Sequence, residues 1–190
     1  MHLIISFINL VNKKIKMKRK IQIGVIGPAQ GEYPKDVKLK NEIIRTAEKI
    51  GKLLAKKNII VITGGTDGVM EIVSKGAKSE QGTTVGIPGR IRKTSNKYID
   101  VEILTPIDVG DFLFAGILSS DAIITIPGGA GTLAELCIAY RYKKPIIIME
   151  GFSDDYDKLI NNYLDESRSI LIYGAKNPEE AVEKAIRLAK

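Results

Sequence analysis

The sequence has one histidine, one cysteine and no tryptophan in 190 residues. The histidine is His2, far from any motif, which excludes Ser–His–Asp and Cys–His machinery and His-ligated metal in the body of the chain. The cysteine is Cys137. One cysteine allows neither an internal disulfide nor a cysteine zinc cluster, so a reducing, cytoplasmic setting and no metal are expected. Long hydrophobic runs are also missing. The longest apolar stretch near the N-terminus, Leu3–Val11, is about half of what spans a bilayer. It has no Lys or Arg before it and no small-residue cleavage site after it, so a signal peptide is not expected. What remains for chemistry is carboxylates, Lys and Arg, hydroxyls and backbone amides.

The formal charge is +7. Its distribution matters more than its size. Lys13, Lys14, Lys16, Lys18, Arg19 and Lys20 sit in residues 1–20 with no acid among them, so residues 21–190 are nearly neutral. Nucleic-acid binding by the body is therefore not expected. Three readings of the tail stay open: an amphipathic helix on a membrane surface, a loose extension, or a segment upstream of a true start at Met17. The last is favoured, because Lys18 opens directly into a strand-like run. Neither a membrane nor a nucleic-acid partner is expected.

From residue 21 onward, apolar strands alternate with helices. The run 21–26 ends in Gly27-Pro28 and reads as a buried strand, as do 59–63, 83–87, 101–105, 122–126 and 145–149. Helical patterns fall at 35–57, 67–79, 111–119, 132–142, 154–164 and 178–190. In the first, Ile43, Ile44, Ala47, Ile50, Leu53 and Leu54 follow the 3.6 period. Asn177 and Pro178 form a cap and first-turn pair for the last helix. Residues 169–172 read as an edge strand. β-branched strands separated by helices predict one α/β domain over 21–190, Rossmann-like and doubly wound. Its mainly parallel sheet would have about six or seven strands with helices on both faces. Ligands of such folds sit beyond the carboxyl ends of the strands.

Three strands end in glycine at that edge. The first, Gly24-Val-Ile-Gly27-Pro-Ala-Gln-Gly31, lacks the dinucleotide spacing, and no acidic residue closes the second strand. No G-x-x-x-x-G-K-[ST] occurs either. The second is Gly64-Gly65-Thr66-Asp67-Gly68-Val69-Met70-Glu71. The third is Pro127-Gly128-Gly129-Ala130-Gly131-Thr132-Leu133-Ala134-Glu135. Glycines let backbone approach a ligand, and a helix start suits a phosphate. Tight strand–helix turns also use glycine for purely structural reasons. Two such loops at one sheet edge favour the phosphate reading.

The pattern P-G-G-x-G-T-x-x-E at 127–135, with Gly64, Gly65, Gly68 and Met70, resembles the LOG family. That family contains cytokinin riboside 5′-monophosphate phosphoribohydrolases and related nucleotide-binding proteins. Ser95-Asn96-Lys-Tyr-Ile-Asp-Val and Ser119-Ser-Asp121-Ala-Ile-Ile-Thr-Ile-Pro look like its branch with the molybdenum-cofactor carrier protein. The resemblance covers about residues 20–175 and implies a homodimer. It implies a small phosphorylated ligand, a nucleoside monophosphate or molybdenum cofactor, held by Gly27, Gly64, Gly65, Gly68, Met70, Gly128, Gly129, Gly131 and Thr132. No other cofactor is required. Glu135 would face the ribose and act as the catalytic carboxylate, with a helix-start carboxylate as its bland alternative. One departure matters. The family's hydrolases carry an Arg fifteen residues before the Pro of P-G-G, where this chain has Phe112. Binding with weak or no hydrolysis is the expectation, and an active phosphoribohydrolase is the alternative. Arg90, Arg92 or Lys93 could supply a substitute cation, against the plainer reading of a solvated basic loop.

Other residues have plainer expectations. Helix 111–119 is apolar nearly all round and is read as a subunit interface ahead of core. Cys137 is expected in the core. Asp67 and Glu71 read as helix-start carboxylates, Tyr140 and Tyr142 as packing, and Asp121 as a chain-turning residue.

Overall fold

The computed structural model describes residues 19–91, 93–105 and 111–189, without the side chains of 111–114. The tail to residue 18, Arg92 and the Phe112 side chain therefore lie outside the described residues. Among the described residues seven strands form one sheet: β1 (Gln22–Ile26), β2 (Ile60–Thr63), β3 (Thr84–Gly89), β4 (Val101–Leu104), β5 (Ala122–Thr125), β6 (Ile146–Met149) and β7 (Ile172–Ala175). Their order is β4-β3-β2-β1-β5-β6-β7, and every pairing is parallel. The helices are α1 (Val37–Lys56), α2 (Val69–Ser79), α3 (Asp111–Ser119), α4 (Ala130–Arg141), the single turn α5 (Asp154–Asp157) and α6 (Pro178–Leu188).

Alternate strand residues feed two cores, as the two-residue period of a strand requires. Val25, Ile124, Ile147 and Met149 pack against α1, α2 and α6. Ile26, Ile123, Ile146 and Ile148 pack against α3, α4 and α5. Both faces are therefore covered, which is why the strands read as continuous apolar runs. Among the described residues no helix is long and apolar enough to cross a membrane.

Strand order reverses at the centre. β1 pairs with β2 on one side and β5 on the other. Chain leaving β2 turns one way and chain leaving β5 the other, opening a crevice at their carboxyl ends. At the opposite edge, Asp121 accepts a hydrogen bond from the Gln22 amide at 2.9 Å and pairs with Arg19 at 2.8 Å. It ties the starts of β1 and β5 together, a structural role.

Local chemistry moves several boundaries. Asp36 caps α1 by accepting from the Leu39 amide at 2.9 Å, so that helix begins at 37 rather than 35. Asn177 caps α6 by accepting from Glu180, as expected. The expected helix over 154–164 is one turn only. Asn161 takes φ +59° and donates its amide to the Ile172 carbonyl, ending the helix in a bend. The expected edge strand at 169–172 instead runs over 172–175, beginning where Ile172 enters the core. Cys137 is exposed, contrary to the expected burial. Helix α4 turns Leu136, Ala139 and Tyr140 inward, and position 137 falls on the outer face.

Helices α1 and α2 cross in backbone contact. A Cβ on Gly51 would run into the Val73 carbonyl, and one on Gly76 into the Glu48 carbonyl. Alanine gains about 1 kcal/mol of helix propensity over glycine, but here the clash is with backbone and outweighs it. Gly51→Ala is expected to lower stability by about 1–3 kcal/mol, the cost of overpacking. The midpoint of chemical denaturation measures this.

Candidate functional site

The crevice at the reversal holds a cavity of about 290 Å³. Gly27 and Ala29 line it from the β1 turn, Gly64, Thr66 and Met70 from the β2 turn, and Gly131, Thr132 and Glu135 from the start of α4, with Glu32 and Pro88 completing the wall. Of the residues expected at the site, Gly27, Gly64, Met70, Gly131, Thr132 and Glu135 thus converge on one space. A larger cavity of about 530 Å³, reached by Cys137, Arg141 and Ser167, touches none of the glycine turns.

The remaining glycines shape the turns instead of lining the cavity. Gly65 has φ +79° and lies against Gly86, where a Cβ would come within 2.8 Å of the Gly86 Cα. Gly68 has φ +63° and presses on Pro28 and Ala29 as the cap of α2. Only glycine meets both demands without strain. A Cβ on Gly128 would collide with the Thr132 hydroxyl and Pro28. The β1 and β5 turns are thus in van der Waals contact, and one on Gly129 would meet Glu32. Gly131 differs: a Cβ there meets nothing within 4 Å. Its missing side chain leaves cavity space rather than relieving a clash.

Two further residues hold the second turn. Asn96 donates its side-chain amide to the Gly65 and Thr66 carbonyls at 2.9 and 2.8 Å. Its backbone amide also donates to Gly65, at 2.7 Å. Thr63 accepts the Gly65 amide on its hydroxyl at 3.0 Å. Both pin the turn through its backbone. Asp67 accepts the Gln30 amide at 3.0 Å and so fastens the β2 turn to the β1 turn. Arg90 is exposed just beyond β3 and does not line the cavity.

Ala29, Glu32, Thr66 and Pro88 line the cavity without being expected there, and Glu32 is the charged one among them. It ends a 3-10 turn at Gln30–Glu32, four residues after Pro28. The available signal is an acidic residue in the loop that follows the first glycine turn. Glu135 enters from α4, in the second helical turn. Burial and the neighbouring Glu32 carboxylate push its pKa up to about 8. At neutral pH it is mostly protonated, a hydrogen-bond donor rather than an anion. Tyr33 behaves alike: burial and the carboxylates of Asp67 and Glu71 push its phenol to about 12.

The first turn of α4 offers the amides of a helix start, and Thr132 adds a hydroxyl that is buried. Such an end stabilises an anion. Thr66 lines the cavity from the β2 turn, its hydroxyl donating to the Met70 sulfur at 3.5 Å. The arrangement can hold a phosphate against two turns while a neutral carboxyl donates to a neighbouring oxygen.

The Glu135 shift has a consequence for stability. Between pH about 4.5 and about 8 the folded protein keeps a proton that the unfolded chain has released. Stability therefore falls as pH rises through that window. Glu135→Gln carries no such proton. Thermal unfolding is expected to give the variant a higher Tm than the wild type at pH 8.5, with the two converging near pH 5. Parallel pH profiles would contradict the assignment.

The fold has counterparts among known proteins. The protein TM1055 aligns with a TM-score of 0.78 and 31% identity, over 88% of this chain and 99% of its own. The molybdenum cofactor binding protein of the phototrophic bacterium Rippkaea orientalis aligns at 0.74 and 29%, over 90% and 99%. The molybdenum cofactor carrier protein of Chlamydomonas reinhardtii aligns at 0.75 and 27%, over 90% and 98%. The sequence profile of the SLOG cluster4 family matches residues 20–182, most of the described fold and all of the cavity. This chain belongs to the SLOG cluster4 family.

Proposed function

We propose that the protein binds a small phosphorylated ligand in the crevice between the β1, β2 and β5 turns. The ligand is a molybdopterin-type cofactor or a nucleoside monophosphate, held with little or no hydrolysis. The observation that carries this reading is the convergence of Gly64, Thr66, Gly131 and Thr132 on one cavity at the start of α4. At about 290 Å³ the cavity matches the lower end of small-molecule sites, not a groove for a polymer. The Rippkaea and Chlamydomonas proteins, whose names state binding or carriage of the molybdenum cofactor, support the pterin-type choice.

The residues present suit a phosphate. Gly131 leaves room beside the α4 amides, and Thr132 and Thr66 line the same cavity. The bound ligand would bring its own ring chemistry; this chain would orient its phosphate and shield it from water. Glu135 then serves as a proton-bearing donor. The LOG-like hydrolases pair this glutamate with an arginine, and a cation beside it keeps a carboxylate ionised. Here Phe112 stands at the corresponding position, and Glu135 is raised to about 8. A neutral carboxyl gives weak support to an oxocarbenium-like transition state, which needs negative charge.

An active nucleoside 5′-monophosphate phosphoribohydrolase is the second reading, favoured by the retention of Glu135 in the cavity wall. In either case we propose a homodimer. Leu118 of α3 and Leu133 of α4, 42% and 44% exposed, support pairing through these helices.

Titration calorimetry with AMP, GMP and molybdopterin is expected to show binding that Gly131→Val weakens by about tenfold or more, because the added side chain fills ligand space without strain. Unchanged affinity in that variant would contradict the site. Release of ribose 5-phosphate from AMP is expected to stay far below about 1 per second, an ordinary enzyme rate; turnover at that rate would establish the second reading. Sedimentation is expected to show a dimer that Leu133→Glu dissociates.

A further inference from the structure

The turn after β1 places a carboxylate beside the helix end that a phosphate would use. Glu32 closes the Gln30–Glu32 turn, its own amide donating to the Ala29 carbonyl at 3.0 Å. Its side chain curls back, and Oε2 accepts the Ala29 amide at 3.3 Å. The carboxyl group then lies over Gly129, the cap residue of α4. A Cβ built on Gly129 would sit 3.2 Å from both Glu32 Cδ and Oε1, and 3.5 Å from Oε2. Gly129 supplies no capping side chain of its own. The same carboxylate lines the cavity with Gly131, Thr132 and Glu135.

We propose that Glu32 is a resident anion at the mouth of the phosphate cradle, and that a phosphate ester enters by displacing it. The proposal rests on reading the α4 loop as that cradle. In the free protein a carboxylate near the α4 amides takes part of the favourable field there. A phosphate arriving at the same amides meets a like charge, and a second carboxyl group waits behind it in Glu135. The turn itself is pinned, since the Gln30 amide donates to Asp67 at 3.0 Å. Among the described residues the Glu32 side chain is held by one long bond to Ala29, and the residue is exposed. Rotation about its own side-chain bonds is therefore enough to clear the mouth, with no movement of the sheet. Glu32 would thus set both affinity and release: it lowers the hold on any phosphate ester and returns to eject it. The device suits a protein that must hand its ligand on.

The test is calorimetric titration of the full chain and of Glu32→Gln with inorganic phosphate and with AMP, each with and without magnesium. Glu32→Gln keeps the size and loses the charge. It is expected to bind both probes about tenfold more tightly, the effect of removing one like-charge repulsion. Glu32→Asp keeps the charge and is expected to remain near the wild type. Equal affinity in Glu32→Gln would overturn the proposal. Weaker affinity, with or without magnesium, would overturn it as well and mark Glu32 as a ligand-holding group. Tighter binding that survives a second change, Gly131→Val, would place the phosphate elsewhere and overturn the cradle itself. The same holds if neither protein binds either probe.

Discussion

The backbone contact between the turns that follow β1 and β5 is the constraint on which the site depends. Gly128 lies against Pro28, close enough that any side chain would collide with it. Gly68 presses on the same segment from the β2 side, where the Val69 amide donates to the Pro28 carbonyl at 3.0 Å. Three strand ends thus meet around one short stretch of chain. The parallel pairing of β1 with both β2 and β5 makes this possible, because it brings all three carboxyl ends to one level. The start of α4 follows β5 into the crevice and is held there by the contacts of Gly128 with Pro28 and of Gly129 with Glu32.

Charge in the crevice follows from what surrounds that meeting point. Glu32 and Glu135 both border the cavity, and burial together with their mutual repulsion keeps a proton on Glu135 near neutral pH. Two carboxyl groups that share one negative charge make a different surface from the carboxylate–arginine pair of the hydrolases in the resembling family. One arrangement stabilises developing positive charge. The other offers a donor, an acceptor and a field opposed to bound phosphate.

Much of this was legible in the sequence, for physical reasons that differ by element. The strands were plain because Ile123-Ile124 and Ile146-Ile147-Ile148 feed two cores at once, and only a doubly covered sheet needs that. The glycine turns were plain as turns. Composition could not separate Gly131, which lines open space, from Gly65, Gly68 and Gly128, which relieve contacts with backbone or neighbouring side chains. That distinction needs three dimensions. Glu32 was hidden for the same cause: nothing in its local sequence shows that a 3-10 turn folds it back over Gly129. Cys137 misled because Leu-Cys-Ile-Ala looks like core, while a helix lying on a sheet must leave part of its circumference outside. The bend after Asp157 depends on Asn161 reaching the start of β7, a pairing made across the fold and not within the segment.

The central claim is that a phosphorylated ligand is held at the start of α4, between the β2 and β5 turns. Amide chemical-shift mapping by nuclear magnetic resonance tests it most directly. On titration of the full chain with AMP or molybdopterin, the account predicts that the largest shifts fall on the amides of Gly131 and Thr132 and of 64–66. Shifts confined instead to the cavity beside Cys137 and Ser167, with the glycine turns unmoved, would contradict it.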